Sequence, residues 1–200
     1  MPPAATRHPD VAAGLRRPTP AELEAARGLG LDDLVAPGLA VLFCGINPGL
    51  YSAATGRHFA RPGNRFWPAL HASGFTPTRF SPFENERLPA LGLGITNMVA
   101  RTTARADELA AAEYVAGAAR LRRLLRTTRP GWLAVVGLGA WRSATGARDA
   151  QVGPQPEPFE GTRVWLLPSP SGLNAHWQPV ALAAEFARLR EAAGLPDRRR

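Results

Sequence analysis

The sequence predicts an α/β fold, a three-layer α/β/α sandwich with a central, mostly parallel, four-stranded sheet. Three observations carry this expectation. Four short runs have the make-up of strands, and the first, 39–44, is continuous and apolar, as a strand buried on both faces should be. Helical patterns separate them, and strands alternating with helices build parallel sheets. The loops richest in unusual polar residues follow strands one, two and four, which puts them together at the carboxyl edge, where such sheets bind ligands.

In chain order, residues 1–30 are Ala-, Pro- and Arg-rich and are expected to form a flexible extension. Pro20-Ala21-Glu22-Leu23 can open a short helix within it, ending before Gly28 or Gly30. The main domain is expected over 31–195, followed by a basic tail, 196–200. Its first strand, 39–44, is continuous and apolar and leads into Gly45-Ile46-Asn47-Pro48-Gly49. A Gly/Thr/Arg-rich loop is expected to Arg61, then a helix over 64–71. The second strand, 94–99, ends in a polar loop, 101–107. In the following helix, 109–127, Leu109, Tyr114, Ala118, Leu121, Leu124 and Leu125 share a face, with Arg120, Arg122, Arg123 and Arg126 mostly on the solvated side. Strand three is 132–137, with a short helix after it, and 149–160 reads as loop. Strand four, 163–167, runs into Pro168-Ser169-Pro170-Ser171-Gly172. The last helix starts at Pro179 and closes at Gly194.

The 45% hydrophobic content is ample for one packed core. No segment reaches the ~18 uninterrupted apolar residues of a membrane helix, and no secretion-signal pattern opens the chain. Cys44 is the sole cysteine, which excludes an intramolecular disulfide and a cysteine-only metal site. A reducing, bacterial-type cytoplasm is expected. The net charge of +8 points to a polyanionic partner, but residues 31–196 carry 17 Arg against 12 acids, so much of the excess sits in the ends. Charge permits nucleic-acid binding without establishing it. All basic residues are Arg, a bias that fits genomic base composition.

Two loops stand out. In the pentapeptide at 45–49, Pro48 biases Asn47 away from helical geometry and the glycines allow close approach to a ligand; an ordinary tight turn is the other reading. In the segment 168–174, prolines stiffen a loop of Ser and Gly in which Leu173 is stranded among small polar residues. It could fill the gap left by an extruded base, or tuck back into the core.

The run Val41-Leu-Phe-Cys-Gly-Ile-Asn-Pro-Gly-Leu50, with Thr55-Gly56, Phe59-Ala60 and Asn64-Arg-Phe-Trp67, closely resembles the mismatch-specific uracil/thymine branch of the uracil-DNA glycosylase superfamily. The stretch 94–103 is similar to that family's middle motif, and 167–173 to its insertion loop. The resemblance covers roughly 33–193 and makes 31–195 the catalytic domain. It implies a monofunctional hydrolase that cleaves the N-glycosidic bond of uracil, ethenocytosine or thymine flipped from mismatched duplex DNA. It also implies that Asn47 positions the attacking water, Phe59 stacks on the base, Ser52 lines the pocket, and Gly172, Leu173 and Asn174 enter the duplex beside Ser171. Backbone N–H groups near Ile46 and Phe59 can bind the uracil carbonyls, with Ser169 in the pocket wall. Asn97 can read the uracil edge, or make a structural hydrogen bond at a strand end.

Asn47 cannot take a proton at neutral pH, so it can only orient water, and modest rates follow. Leu167 stands where the fast uracil-specific branch carries a His, which points the same way. Asp107 is a candidate to assist the water; the competing reading is a helix N-cap. Four His residues lack metal-ligand spacing, so neither metal nor cofactor is expected. Gly137-Leu138-Gly139 lacks the third glycine of a dinucleotide turn. With no Lys, a lysine Schiff base and hence lyase chemistry have no side chain to use. The expected partner is double-stranded DNA bearing U·G or related mismatches, bound by a monomer away from membranes. The alternatives are a lesion-binding module that does not cut, and a hydrolase of free nucleosides.

Overall fold

The computed structural model describes residues 9–172, 174 and 176–199. Among these, five strands form one sheet: β1 (Val41–Gly45), β2 (Leu93–Asn97), β3 (Trp132–Val136), β4 (Gly153–Pro154) and β5 (Arg163–Leu167), in the order β2-β1-β3-β5-β4. The first, second, third and fifth run parallel, and β4 pairs antiparallel with β5. The α/β/α sandwich is therefore as expected, with one strand more than the four foreseen. That strand is a two-residue Gly-Pro edge. Proline cannot donate to a ladder and is tolerated at such edges, where no apolar run announces it.

Seven α-helices flank the sheet among the described residues: α1 (Pro9–Ala12), α2 (Pro20–Ala25), α3 (Leu50–Thr55), α4 (Phe66–Ala72), α5 (Ala111–Thr128), α6 (Leu138–Thr145) and α7 (Pro179–Ala192). Strand residues alternate between two cores, as the period of two demands. Val41 and Phe43 face α4 and α7, in a cluster with Phe66, Leu70, Leu182 and Phe186. Leu42 and Cys44 face the other layer, with Leu121, Leu125 and Trp141 of α5 and α6. All five residues of β1 are buried, which explains why its sequence is apolar without a break. Burial pushes the Cys44 thiol up to about 12, so it is an inert core group.

Two expectations change. The stretch to Arg61 is not all loop: α3 occupies Leu50–Thr55, starting at Gly49 and stopped by Gly56 at φ 70°. Its small residues, Ser52 to Thr55, are buried rather than periodic, so no amphipathic stripe marked it. Arg120 does not lie with the solvated arginines. Its guanidinium turns inward, donating to Asp33 Oδ2 at 2.7 Å, to Thr96 Oγ1 at 3.0 Å and to the carbonyl of Asn97.

Residues before 31 also pack on the domain. Val11 and Ala26 are buried, and Ala26 clusters with Ala53 and Ala54. Thr19 and Glu22 cap α2 reciprocally. The backbone of Gly28 donates to Thr102 O at 3.0 Å, and Thr102 N returns a bond to Leu29 O at 3.1 Å. At the other end, Arg198 N bonds Gly74 O and Arg199 reaches Ala72 O.

α5 meets the loop after β2 with almost no clearance. A Cβ on Gly117 would lie 2.3 Å from Met98 O. Replacing an interior helix glycine by alanine ordinarily stabilises by about 1 kcal/mol. Here backbone blocks the methyl, so Gly117→Ala is expected to destabilise the fold by about 1–3 kcal/mol. Urea unfolding checks the sign.

Candidate active site

The loops after β1, β2 and β5 meet at the carboxyl edge of the sheet, around a cavity of about 210 Å³. Ile46, Asn47, Ser52, Phe59, Asn97 and Ser169 all line it. The first two loops are stitched together by backbone: Met98 N donates to Gly45 O (2.8 Å), Val99 N to Ile46 O (2.9 Å) and Thr103 N to Pro48 O (3.2 Å). A larger groove of about 800 Å³ lies between α6 and residues 147–159, away from these loops.

The Asn47 carboxamide is oriented unambiguously. Its Nδ2 donates to Arg101 O at 2.9 Å and to Thr103 Oγ1 at 2.7 Å. A backbone carbonyl only accepts, so the nitrogen must face Arg101. The Thr103 hydroxyl spends its own hydrogen on Arg105 O, at 2.7 Å, and so must accept from Asn47. Both Asn47 hydrogens are engaged. Among the described residues, its Oδ1 accepts no hydrogen bond, which leaves that oxygen for the cavity. Among the same residues, the backbone N–H groups of Ile46 and Phe59 have no acceptor.

Phe59 stacks on Phe66, centroids 4.0 Å apart and planes 16° from parallel. Phe66 meets the core ring of Phe43 edge-on at 5.4 Å, so the cavity wall is rooted in β1. The backbone of Phe59 sits at φ 52°, a left-handed conformation rare for a bulky residue. Gly45 makes the floor possible. A Cβ there would lie 2.7 Å from Asn97 Oδ1 and 3.2 Å from the Phe59 ring. The register of the sheet sets Asn97 directly across from Gly45. Ser52, buried in α3, accepts from Ala60 N at 3.2 Å and fixes the turn that carries Phe59.

Sequence reasoning passed over His58. It is 2% exposed, lines the cavity, and pairs through Nε2 with Asp32 O at 2.9 Å. Its Nδ1 lies 3.4 Å from Asn97 Nδ2. Burial lowers its pKa, against the opposing pull of the Asp32 carbonyl and the Asp33 and Asp32 charges. The signal was present only as adjacency to Phe59, since no ligand spacing picks it out.

In the loop after β5, Ser171 also lines the cavity. A Cβ at Gly172 would be 2.8 Å from Gly63 O, so glycine lets the two loops touch. Arg65 holds this loop by donating to Trp177 O (2.7 Å), Gly172 O (2.8 Å) and Asn174 O (3.1 Å). The Asn174 side chain bonds within the loop, to Ser169 O at 3.0 Å and from His176 N at 3.2 Å. Leu173, the expected wedge, lies outside the described residues, as does Ala175.

Asp107 does not line the cavity. It sits inside a 3-10 turn, Ala106–Glu108, where its carboxylate pairs with Arg105, and it is not the N-cap of α5, which is Ala110. Arg105 and the exposed Arg61 do line the rim. Gly137 serves packing, since a Cβ there would meet Ile46 at 3.1 Å. Among the described residues no group of His, Cys, Asp and Glu is placed to hold a metal ion, and no helix is long and apolar enough to cross a membrane.

The lowered pKa of His58 has a stability consequence. The unfolded chain takes up this proton near the ordinary value of about 6.5, the folded chain only at lower pH. The contribution is therefore complete above pH 6.5 and is lost as pH falls through that value towards the folded pKa. Thermal melts between pH 7.5 and 5 should fall less steeply for His58→Asn than for the parent chain. Parallel curves would show that His58 does not set this dependence.

A family model described as the uracil DNA glycosylase superfamily matches residues 33–192. The chain belongs to that superfamily, and its class is that of a DNA glycosylase hydrolase in DNA repair.

Proposed function

We propose that this superfamily member is a monofunctional glycosylase of the mismatch-specific kind, releasing uracil, and by extension ethenocytosine or thymine, from mispaired positions in duplex DNA. The observation that supports this reading most is the Asn47 carboxamide, with both hydrogens tied back and its oxygen left to the cavity beside Phe59. In that orientation the carboxamide can accept a hydrogen bond from water and aim the water's oxygen at the sugar.

The chemistry asked of the site is limited. The C1′–N1 bond breaks with its electron pair leaving on the base, the sugar becomes oxocarbenium-like, and water adds at C1′ while its proton passes to solvent. Stabilising the departing anion should dominate the barrier. The N–H groups of Ile46 and Phe59, which have no partner among the described residues, are suited to the uracil carbonyls. His58 is neutral and spends its ring hydrogen on Asp32 O, and Leu167 is a buried aliphatic; neither places a cation on the anion. Slow turnover is the expected consequence. Arg61 and Arg105 at the rim are suited to the flanking phosphates. Asp107, exposed and paired with Arg105, receives no catalytic role in this proposal.

Selection for mismatches would come from the cost of extrusion. Flipping a base costs a few kcal/mol, and less from a wobble pair than from a sound one. The decisive assay offers the protein a U·G duplex, a U·A duplex, single-stranded uracil DNA and free deoxyuridine, and scores released uracil. Release from U·G ahead of U·A supports the proposal. Release from deoxyuridine alone replaces it with nucleoside hydrolysis, and binding without release makes it a non-cutting lesion reader.

Asn47→Ala is expected to lower single-turnover release by a factor on the order of 10² to 10³, the penalty typical of losing one positioned polar group, with duplex affinity retained. Unchanged kinetics would remove Asn47 from the mechanism. Leu173→Ala should slow U·A more than U·G, because the wedge matters most where a sound pair must open; equal losses argue against a wedge.

A further inference from the structure

A carboxamide alone cannot distinguish uracil from cytosine. Uracil offers a donor at N3 and an acceptor at O4. Cytosine offers an acceptor at N3 and a donor at N4. An Asn side chain matches either pattern by turning its amide over, since oxygen and nitrogen occupy nearly the same space. Whatever fixes the amide therefore sets the base.

In this chain the fixing group is next to Asn97. Asp32 O can only accept, so the His58 nitrogen 2.9 Å away, Nε2, must carry the ring hydrogen. Burial keeps the ring neutral, so Nδ1 is bare. A bare nitrogen faces a hydrogen, not a lone pair, and the Asn97 atom 3.4 Å from it is accordingly Nδ2. That places Oδ1 on the far side, over the Cα of Gly45 and beside the Phe59 ring. Among the described residues this oxygen accepts no hydrogen bond. The imidazole is itself immobile: His58 is 2% exposed, and its carbonyl accepts from the Trp67 indole at 3.2 Å.

We propose that His58 is a specificity-determining positioning residue, which holds the Asn97 carboxamide with its oxygen towards the stacked base so that the pocket accepts uracil and refuses cytosine. The relay is Asn97 Nδ2–H to His58 Nδ1, then His58 Nε2–H to Asp32 O. It rests on the reading of the cavity as a uracil pocket with Asn97 at the edge of the base, and it extends that reading by naming what holds the amide. The backbone of residue 32, ahead of β1, thus sets the polarity of a side chain at the end of β2.

The test uses duplexes carrying uncleavable 2′-fluoroarabino-uridine or 2′-fluoroarabino-cytidine opposite an abasic analogue, which removes the difference in pairing. Their Kd values are compared by fluorescence anisotropy. The parent chain should bind the uridine duplex roughly 10- to 100-fold more tightly, the range of one good two-point contact. In His58→Leu the amide is free to turn, so cytidine binding should strengthen until the two Kd values lie within a few-fold. His58→Asn, which keeps an acceptor near the Nδ1 position, should restore part of the preference. Equal weakening of both duplexes by His58→Leu, with the ratio intact, would make His58 merely structural and overturn the proposal. If the parent shows no preference, or keeps it in Asn97→Ala, the uracil-pocket reading or Asn97's part in it fails, which the Leu variant alone could not reveal. ¹⁵N NMR of the parent imidazole covers the case of a variant that does not fold. A protonated Nε2 with bare Nδ1 is expected, and the opposite tautomer overturns the lock.

Discussion

The site depends on a seam of hydrogen bonds between the loop leaving β1 and the loop leaving β2. Three backbone bonds, from Met98, Val99 and Thr103, run along it. Asn47 then adds its two side-chain bonds to Arg101 O and Thr103 Oγ1. Polar backbone at the end of a buried sheet has to find partners, because an orphaned buried group costs about as much as a lost hydrogen bond. Here each loop supplies the other's partners. The same bonds that satisfy the backbone remove the rotational freedom of the Asn47 amide, to which the proposed chemistry assigns the water.

Behind the seam the protein invests in rigidity. The Arg101 guanidinium clamps the loop to α5 through Glu113, holding that carboxyl down at about 2. Arg120 does the same for the end of β2, reaching Asp33, Thr96 and the carbonyl of Asn97. The aromatic wall is continuous with the hydrophobic core through Phe66 and Phe43. A left-handed Phe59 costs roughly 1–2 kcal/mol in backbone terms, which packing of this kind can offset. Groups held this way need little reordering when a ligand arrives.

The sequence disclosed those parts whose physics is local. Four parallel strands were legible, β1 most plainly, because burial on both faces leaves the unbroken apolar run Val41–Gly45. Asn47 and Phe59 were legible through their motifs, and both line the cavity with Ile46, Ser52, Asn97 and Ser169. What stayed hidden depended on distance in the chain. β4 is Gly-Pro and carries no pattern of its own. α3 is built of buried small residues. Arg120 was placed with its neighbours on the wet face, because periodicity assigns a side by Cα position while a long guanidinium can reach back. His58 had no spacing to betray it, since its partners are a carbonyl 26 residues earlier and an amide 39 residues later.

The N-terminal segment gives the site an unexpected boundary. The family match begins at residue 33, yet Gly28 donates to the Thr102 carbonyl and Leu29 O accepts from Thr102, Leu31 forms part of the cavity wall, and Asp32 supplies the carbonyl that His58 addresses. A fragment trimmed to the matched region would keep every strand of the sheet and lose one side of the chamber. In this protein the stretch that carries the shared motif and the stretch that walls the cavity begin at different residues.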